Sequence, residues 1–328
     1  MKINSKWLLG SVLLALCIAI RAYSQNASHV EWAYSSRFFP GFSGFQRMLF
    51  GKIPFCIGDI LYLLLFGWLV AQLIKCIVFV IRSKKMPNFL QNTGSFFLNL
   101  MFIYIVFNVF WGLNYNRQGI KWQLGLPEKE AYSTEELRNL NCLLLDKINQ
   151  SKQAVLRQKK FPSTQQLFKQ VYEAYQSATV QFPFLKYEPV SIKPGIWGNL
   201  QSYTGISGYY NPFTGEAQMN THLPDFILPY TACHEVAHQL GYAKEMEANF
   251  VGYIAAISSK DTLLHYSVYF DLFMYANNSL YFSDSAFAKI CRKDLLPQVK
   301  EDYLKWHNFK RAHQSFMNAF VNLVYGNF

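Results

Sequence analysis

Carboxylates are scarce at the front of this chain. Residues 1–116 hold ten Lys/Arg against two Asp/Glu, whereas residues 117–328 hold 21 against 18. The net charge of +11 is therefore concentrated in the N-terminal third, a pattern of membrane flanks. The second half lacks a basic stripe with interleaved aromatics, which argues against nucleic acid as a partner. Cysteine is also sparse. Cys17, Cys56 and Cys76 fall in apolar runs, Cys142, Cys233 and Cys291 are scattered, and no CxxC occurs. That excludes a disulfide framework, and Cys233 reads as core packing.

Against these absences stands one dense stretch, TACHEVAHQLGYAKEMEANFVG, from Thr231 to Gly252. His234 and His238 are four apart and share one face of a helix. Two imidazoles so placed can converge on one tetrahedral Zn²⁺, with Glu235 beside them as general base. Gly241 sits where a helix would end in a left-handed cap. The chain then restarts with Glu245-Met246-Glu247-Ala248-Asn249, which offers a carboxylate as third ligand. Asn249, four residues past Glu245, could orient a ligating histidine. The alternative is an ordinary amphipathic helix, but two histidines on an apolar helix would then need other partners.

Glu245 to Asn249 is similar to the ExxA(D/N) segment of gluzincin metallopeptidases, whose glutamate ligates zinc. Together with SGYYNPFTGEAQMN, WGLNYNR, VEWAYSSRFFPGF and GKIPFCIGDILYLLL, the stretch resembles a bacterial membrane family, domain-of-unknown-function family 3810, over nearly the whole chain. The resemblance implies a zincin-like fold, with Glu245 as third ligand and Glu247 as runner-up. It assigns no substrate. One departure stands out: gluzincins place the third glutamate much further from the second histidine than the seven residues here. The short gap resembles the HExxHxxGxxH layout of metzincins, but Lys244 occupies the third-histidine position and cannot ligate.

The rest of the chain supplies a setting. Residues 1–115 read as a membrane region with spans at about 7–22, 55–81 and 96–113. The first is either a signal peptide or a retained span, so two or three transmembrane helices are expected. Residues 25–52 read as an aromatic interfacial loop, and Trp111 and Tyr115 as interfacial anchors. The loop RSKKMPN between the last two spans is basic and should be cytoplasmic, which puts residues 116–328 outside the cytoplasmic (inner) membrane.

That second part reads as an α+β, mostly helical domain. Ser133 and Ser163 open helices with capping boxes. Leu137, Leu140, Leu144 and Ile148 form one apolar face; Leu167, Val171 and Tyr175 form another. Tyr203–Tyr210 and Glu216–Asn220 are expected to pair across the turn Asn211–Gly215. By the same resemblance, this hairpin would hold a peptide by strand addition, with Gly205, Gly208 and Tyr209 as substrate contacts. Pro229 is expected to start the HEVAH helix, with further helices over 249–258, 262–275 and 296–324. The apolar run reaching Phe328 and the resemblance together suggest a family whose chains continue further. Tyr209 and His222 are candidates for oxyanion stabilisation; His265, His307 and His313 read as surface or core.

The sequence thus predicts a membrane-anchored zinc metallopeptidase acting on a peptide or protein, with the lipid bilayer as a partner and room for a membrane partner protein. A zinc-binding but non-hydrolytic envelope scaffold is the alternative, and an intramembrane protease a weaker one.

Overall fold

A computed structural model describes residues 5–82, 86–127, 129, 131–157 and 161–318. It is mostly helical, with one small sheet. Three long helices lie in the first third: Ser5–Ser24, Ile57–Arg82 and Met86–Phe110. Within them Trp7–Ser24 and Ile57–Lys75 are long and apolar enough to cross a bilayer, and Gly94–Phe110 is a shorter apolar stretch. Leu63, Leu64, Phe66 and Ile74 on the second helix are all exposed, a surface of the kind lipid covers. The third helix stops at Phe110, three residues before its expected end, and the chain turns through a 3₁₀ segment, Gly112–Asn116. Lys84 and Lys85 of the basic loop lie outside the described residues.

The expected loop over residues 25–52 is helical. Ala27–His29 leads into a π-helical segment, Val30–Phe38, and then an α-helix, Phe39–Phe50. One face of this segment is core: Val30 and Phe39 are fully buried, with Trp111, Leu113, Tyr210 and Ala243 in the same cluster, while Trp32, Phe38 and Phe45 stay exposed. Trp111 is therefore not a lipid anchor. Its indole N–H donates to the His238 carbonyl at 3.4 Å, beneath the HEVAH helix.

The sheet runs β1 (Ile192–Pro194), β3 (Glu216–Met219), β2 (Gly208–Asn211) across its width. β1 is parallel to β3 and β2 antiparallel, pairing Gly208 with Met219 and Asn211 with Glu216. The turn between β2 and β3 forms as expected. Asn211 Oδ1 accepts from the N–H groups of Phe213 and Thr214, and Gly215 takes φ +68°, where glycine is favoured. The strand expected from Tyr203 starts only at Gly208; Tyr203 and Thr204 belong to a helix, Gly198–Thr204, ended by Gly205 at φ +77°.

Around this sheet lie helices Thr134–Leu156, Thr164–Gln181, Leu228–Gln239, Glu245–Ser258 and Thr262–Ser283. Both capping boxes are present, on Ser133/Glu136 and Ser163/Gln166. Leu137, Leu144 and Ile148 are buried, but Leu140 is exposed and Asn141 takes its place inside, donating to the Leu137 carbonyl. One core joins these helices, with Tyr175, Tyr266, Phe270, Phe273 and Leu264 fully buried. Each such side chain contributes about 1.5–3 kcal/mol. The helix expected over 262–275 runs on to Ser283. That expected from 296 is Pro297–Ala312, after which Ser315 donates to the Tyr203 carbonyl; residues beyond 318 lie outside the description.

The apolar helix Ile57–Arg82 is keyed directly into the sheet. Glu216 of β3 accepts the N–H groups of Ile57 (3.2 Å) and Gly58 (2.6 Å), so a buried carboxylate caps that helix's positive end. Lys193 of β1 pairs with the same carboxylate at 2.6 Å. Asp59 accepts the Ile196 N–H at 2.7 Å and the Tyr209 hydroxyl.

Candidate metal centre

The HEVAH helix, Leu228–Gln239, carries Pro229 in its first turn, where the missing N–H costs nothing. Nearly every side chain on it is buried, and it packs against β2 and β3. Twelve residues cannot cross a bilayer, which removes the intramembrane arrangement. The Tyr175 hydroxyl donates to the Cys233 carbonyl at 2.6 Å. On another side Gly252 lets the helix Glu245–Ser258 approach closely. A Cβ there would lie 3.1 Å from His234 N.

At its C-terminus the helix closes with a Schellman motif. Gly241 takes φ +89°, its N–H donates to His238 O, and Tyr242 N–H donates to Ala237 O. The last carbonyls also receive donors from far away in sequence. Ser43 and Arg47 donate to Gln239 O (3.0 and 3.2 Å), Arg117 to Gly241 O (3.1 Å), and Trp111 to His238 O. Arg117 is held by Glu31 at 2.7 Å, both almost fully buried. Two guanidinium groups thus face the negative end of the helix. Burial alone would raise the Glu31 carboxyl, but Arg117 beside it holds it below the usual range.

This reversal returns the chain onto the histidines. His234 Nε2 lies 3.2 Å and His238 Nε2 3.6 Å from the two carboxylate oxygens of Glu245. One ligand atom from each of His234, His238 and Glu245 lies within 4.8 Å of the others, a group that could hold a metal ion. His238 Nδ1 is 2.7 Å from the Tyr242 carbonyl, an acceptor only. Nδ1 must therefore carry the proton, leaving the Nε2 lone pair for a metal. Asn249 lines the same cavity as His234.

Electrostatics agree with that fit. Desolvation would raise Glu245, yet the two imidazoles beside it hold its carboxyl far below the usual range. Burial would lower His234, yet Glu245, Glu235 and Asn249 raise its proton affinity. The three groups stabilise positive charge between them.

Glu235 is buried, and burial pushes its carboxyl up, against the pull of both histidines. Its Oε2 has no protein partner. It faces a cavity of about 260 Å³ lined also by Ser207, Gly208, Tyr230, His234, Glu245 and Asp271. A Cβ on Gly208 would lie 2.8 Å from Glu235, so only glycine fits that point of β2.

Other residues named from the sequence lie elsewhere. Glu247 turns away from the histidines, packs against Gly119 and sits 3.9 Å from Lys244. Tyr209 points to Asp59 and Tyr62 on the apolar helix rather than into this cavity. Gly205 lines a neighbouring cavity and caps its own helix. His222 packs against Gly198 and His265 reaches the Ser259 carbonyl; His307 and His313 lie on or after the helix Pro297–Ala312. Conversely, Tyr230 and Asp271 line the cavity beside the candidate metal ligands. Asp271 had a signal: it is the lone Asp, Glu, Lys or Arg in the helix Thr262–Ser283. Its side chain is solvent-exposed at the cavity's edge, and desolvation by its neighbours outweighs the pull of His234 and Lys310, raising its carboxyl.

A family model described as "Protein of unknown function (DUF3810)" matches residues 34–328. No curated protein and no solved structure matches the chain.

Proposed function

The chain belongs to the DUF3810 family, and we propose that it is a membrane-anchored zinc metallopeptidase working outside the cytoplasmic membrane. The observation that carries this reading is Glu235, buried with its Oε2 unpartnered among the described residues, in the lining of the same cavity as His234 and Glu245. A purely structural metal site needs no such base. His234, His238 and Glu245 would hold the ion, leaving a position open to the cavity. Zn²⁺ supplies Lewis acidity there and makes water a nucleophile near neutral pH.

The chain's own residues supply the rest. Glu235, with its raised proton affinity, accepts a proton from water and returns it to the leaving amine. Gly208 presents β2 as an open edge beside it. Asn220 N–H donates to Ser207 O at 3.0 Å, so the ladder turns the peptide groups of Gly208 to the other side. An extended peptide can pair there. The Tyr242 carbonyl holds the His238 imidazole in orientation, and Asn249 lines the cavity beside His234. The membrane assignment rests on the apolar helices, and the outward orientation on the basic residues Arg82, Lys84 and Lys85 between the second and third.

The test is zinc content by elemental analysis of detergent-purified protein, beside His234→Ala and Glu235→Gln. We expect about one zinc per chain, lost in His234→Ala and kept in Glu235→Gln. Peptide hydrolysis should be absent from both variants. No zinc in the folded wild type would overturn the reading; hydrolysis that survives Glu235→Gln would remove Glu235 as the base.

A further inference from the structure

A second cavity, of about 440 Å³, opens beside the metal cavity. Ser207 lines both, immediately before Gly208 on the open edge of β2. The far wall is the helix Pro297–Ala312, which contributes Trp306, His307, Lys310 and Arg311; Gln314 follows just beyond it. The chemistry of the two cavities is opposite. Glu235, Glu245 and Asp271 line the first. Among the described residues, those lining the second include two full cations and a histidine but no carboxylate. Lys310 lies 5.2 Å above the Trp306 ring, on the wall of the second cavity.

An extended chain paired along β2 would pass from Gly208 over Ser207, advancing about 3.3 Å per residue. With its reacting carbonyl beside Glu235, its next side chains on the Ser207 side come to the basic cavity. We propose that this cavity is a specificity subsite for a carboxylate, so that the substrates are peptides with an acidic group close to the bond cut. The inference rests on the metallopeptidase reading for the identity of the site, but it makes its own demand on charge. The carboxylate could be an internal Asp or Glu side chain or the free C-terminus of a short peptide. Lys310 and Arg311 would hold either by charge-assisted hydrogen bonds, with the Gln314 amide as a further donor. Trp306 gives the stem an apolar wall.

The experiment uses full-length, zinc-loaded Glu235→Gln protein in detergent and fluorescein-labelled ten-residue Ala/Ser peptides. One series is C-terminally amidated and carries a single Glu at each position in turn. A second replaces Glu by Gln, and a third is the Gln series with a free C-terminus. Fluorescence anisotropy should show the best Glu peptide binding about tenfold tighter than its Gln partner. Lys310→Glu with Arg311→Glu should abolish that preference while leaving zinc content unchanged. Preference for the third series over the amidated Gln peptides assigns the carboxylate to the chain terminus, and preference for the first assigns it to a side chain. Equal binding by all three series overturns the proposal. Failure of the wild type to cleave any of these peptides, with the binding preference intact, would count against the peptidase reading alone.

Discussion

The two sides of the HEVAH helix are built on opposite terms. On the side facing the cavity, valences are left open: Glu235 Oε2 has no partner, and His238 Nε2 and Glu245 converge around a space. At its C-terminal end charge is met by charge. Glu31 accepts from Arg117, Gly119 and Gln123, and Arg117 and Arg47 spend donors on the last carbonyls. Buried charges are tolerated when paired and hydrogen-bonded, and otherwise need a compensating ion or reaction. The comparison separates what holds the helix from what the helix holds. It also gives the scarce acids of the first 116 residues a common task. Glu31 and Asp59 are the only two, both are buried, and both reach across to the later part of the chain.

The largest effect should come from breaking the clamp. Arg117→Ala leaves Glu31 charged and buried without its partner, and removes a donor from Gly241 O. We expect a loss of about 3–5 kcal/mol, measured as a drop in thermal midpoint of the purified protein. A change under about 1 kcal/mol would mean that the clamp is not structural. On the open side the reverse pattern is expected. Asn249→Ala removes a polar neighbour of His234 in the cavity lining and should weaken zinc by about 10–100-fold, read by competition with a chelating dye. Its metal-free melting temperature should hardly move, because Asn249 is exposed. Metal affinity unchanged in this variant would release Asn249 from any orienting role.

The sequence announced one side of this comparison far more plainly than the other. His234, Glu235 and His238 are legible because helical spacing alone puts them on one turn. Glu245 required a chain reversal that Gly241 signalled. The choice between Glu245 and Glu247 depended on which way a single helical turn faced, and that is set by packing on Gly119 and Gly252. The clamp was hidden for a different reason. Its buried positions, Val30, Tyr34 and Ser35, Phe39 and Ser43, recur every four to five residues, because the segment Val30–Phe38 is wound as a π-helix. A search for a 3.6-residue apolar stripe cannot see that spacing, least of all when Glu31, Ser35, Gln46 and Arg47 are among the buried side chains. Gly205 misled in a similar way, because a glycine beside β-formers is as compatible with a helix cap as with a hairpin.

The smallest predicted effect sharpens the comparison most. Glu31→Gln keeps an oxygen for one Arg117 donor but removes the charge, so it should cost less than Arg117→Ala. The native Glu31 carboxyl lies below its usual value of 4.5, so the folded state binds that proton more weakly than the unfolded state. Its contribution is then fully present above the unfolded value and fades as pH falls through the native one. The difference in melting temperature between wild type and Glu31→Gln should therefore be constant from about pH 7 to 5.5. It should narrow steadily below about pH 4.5. Glu235 and Asp271 shift the opposite way, but wild type and variant share them, so they cancel in the difference. A gap that stays the same width down to about pH 3 would show that shape rather than charge holds the clamp. A gap that closes would place the acid sensitivity of the fold behind the metal centre, at the contact between the first hundred residues and the helix that carries His234 and His238.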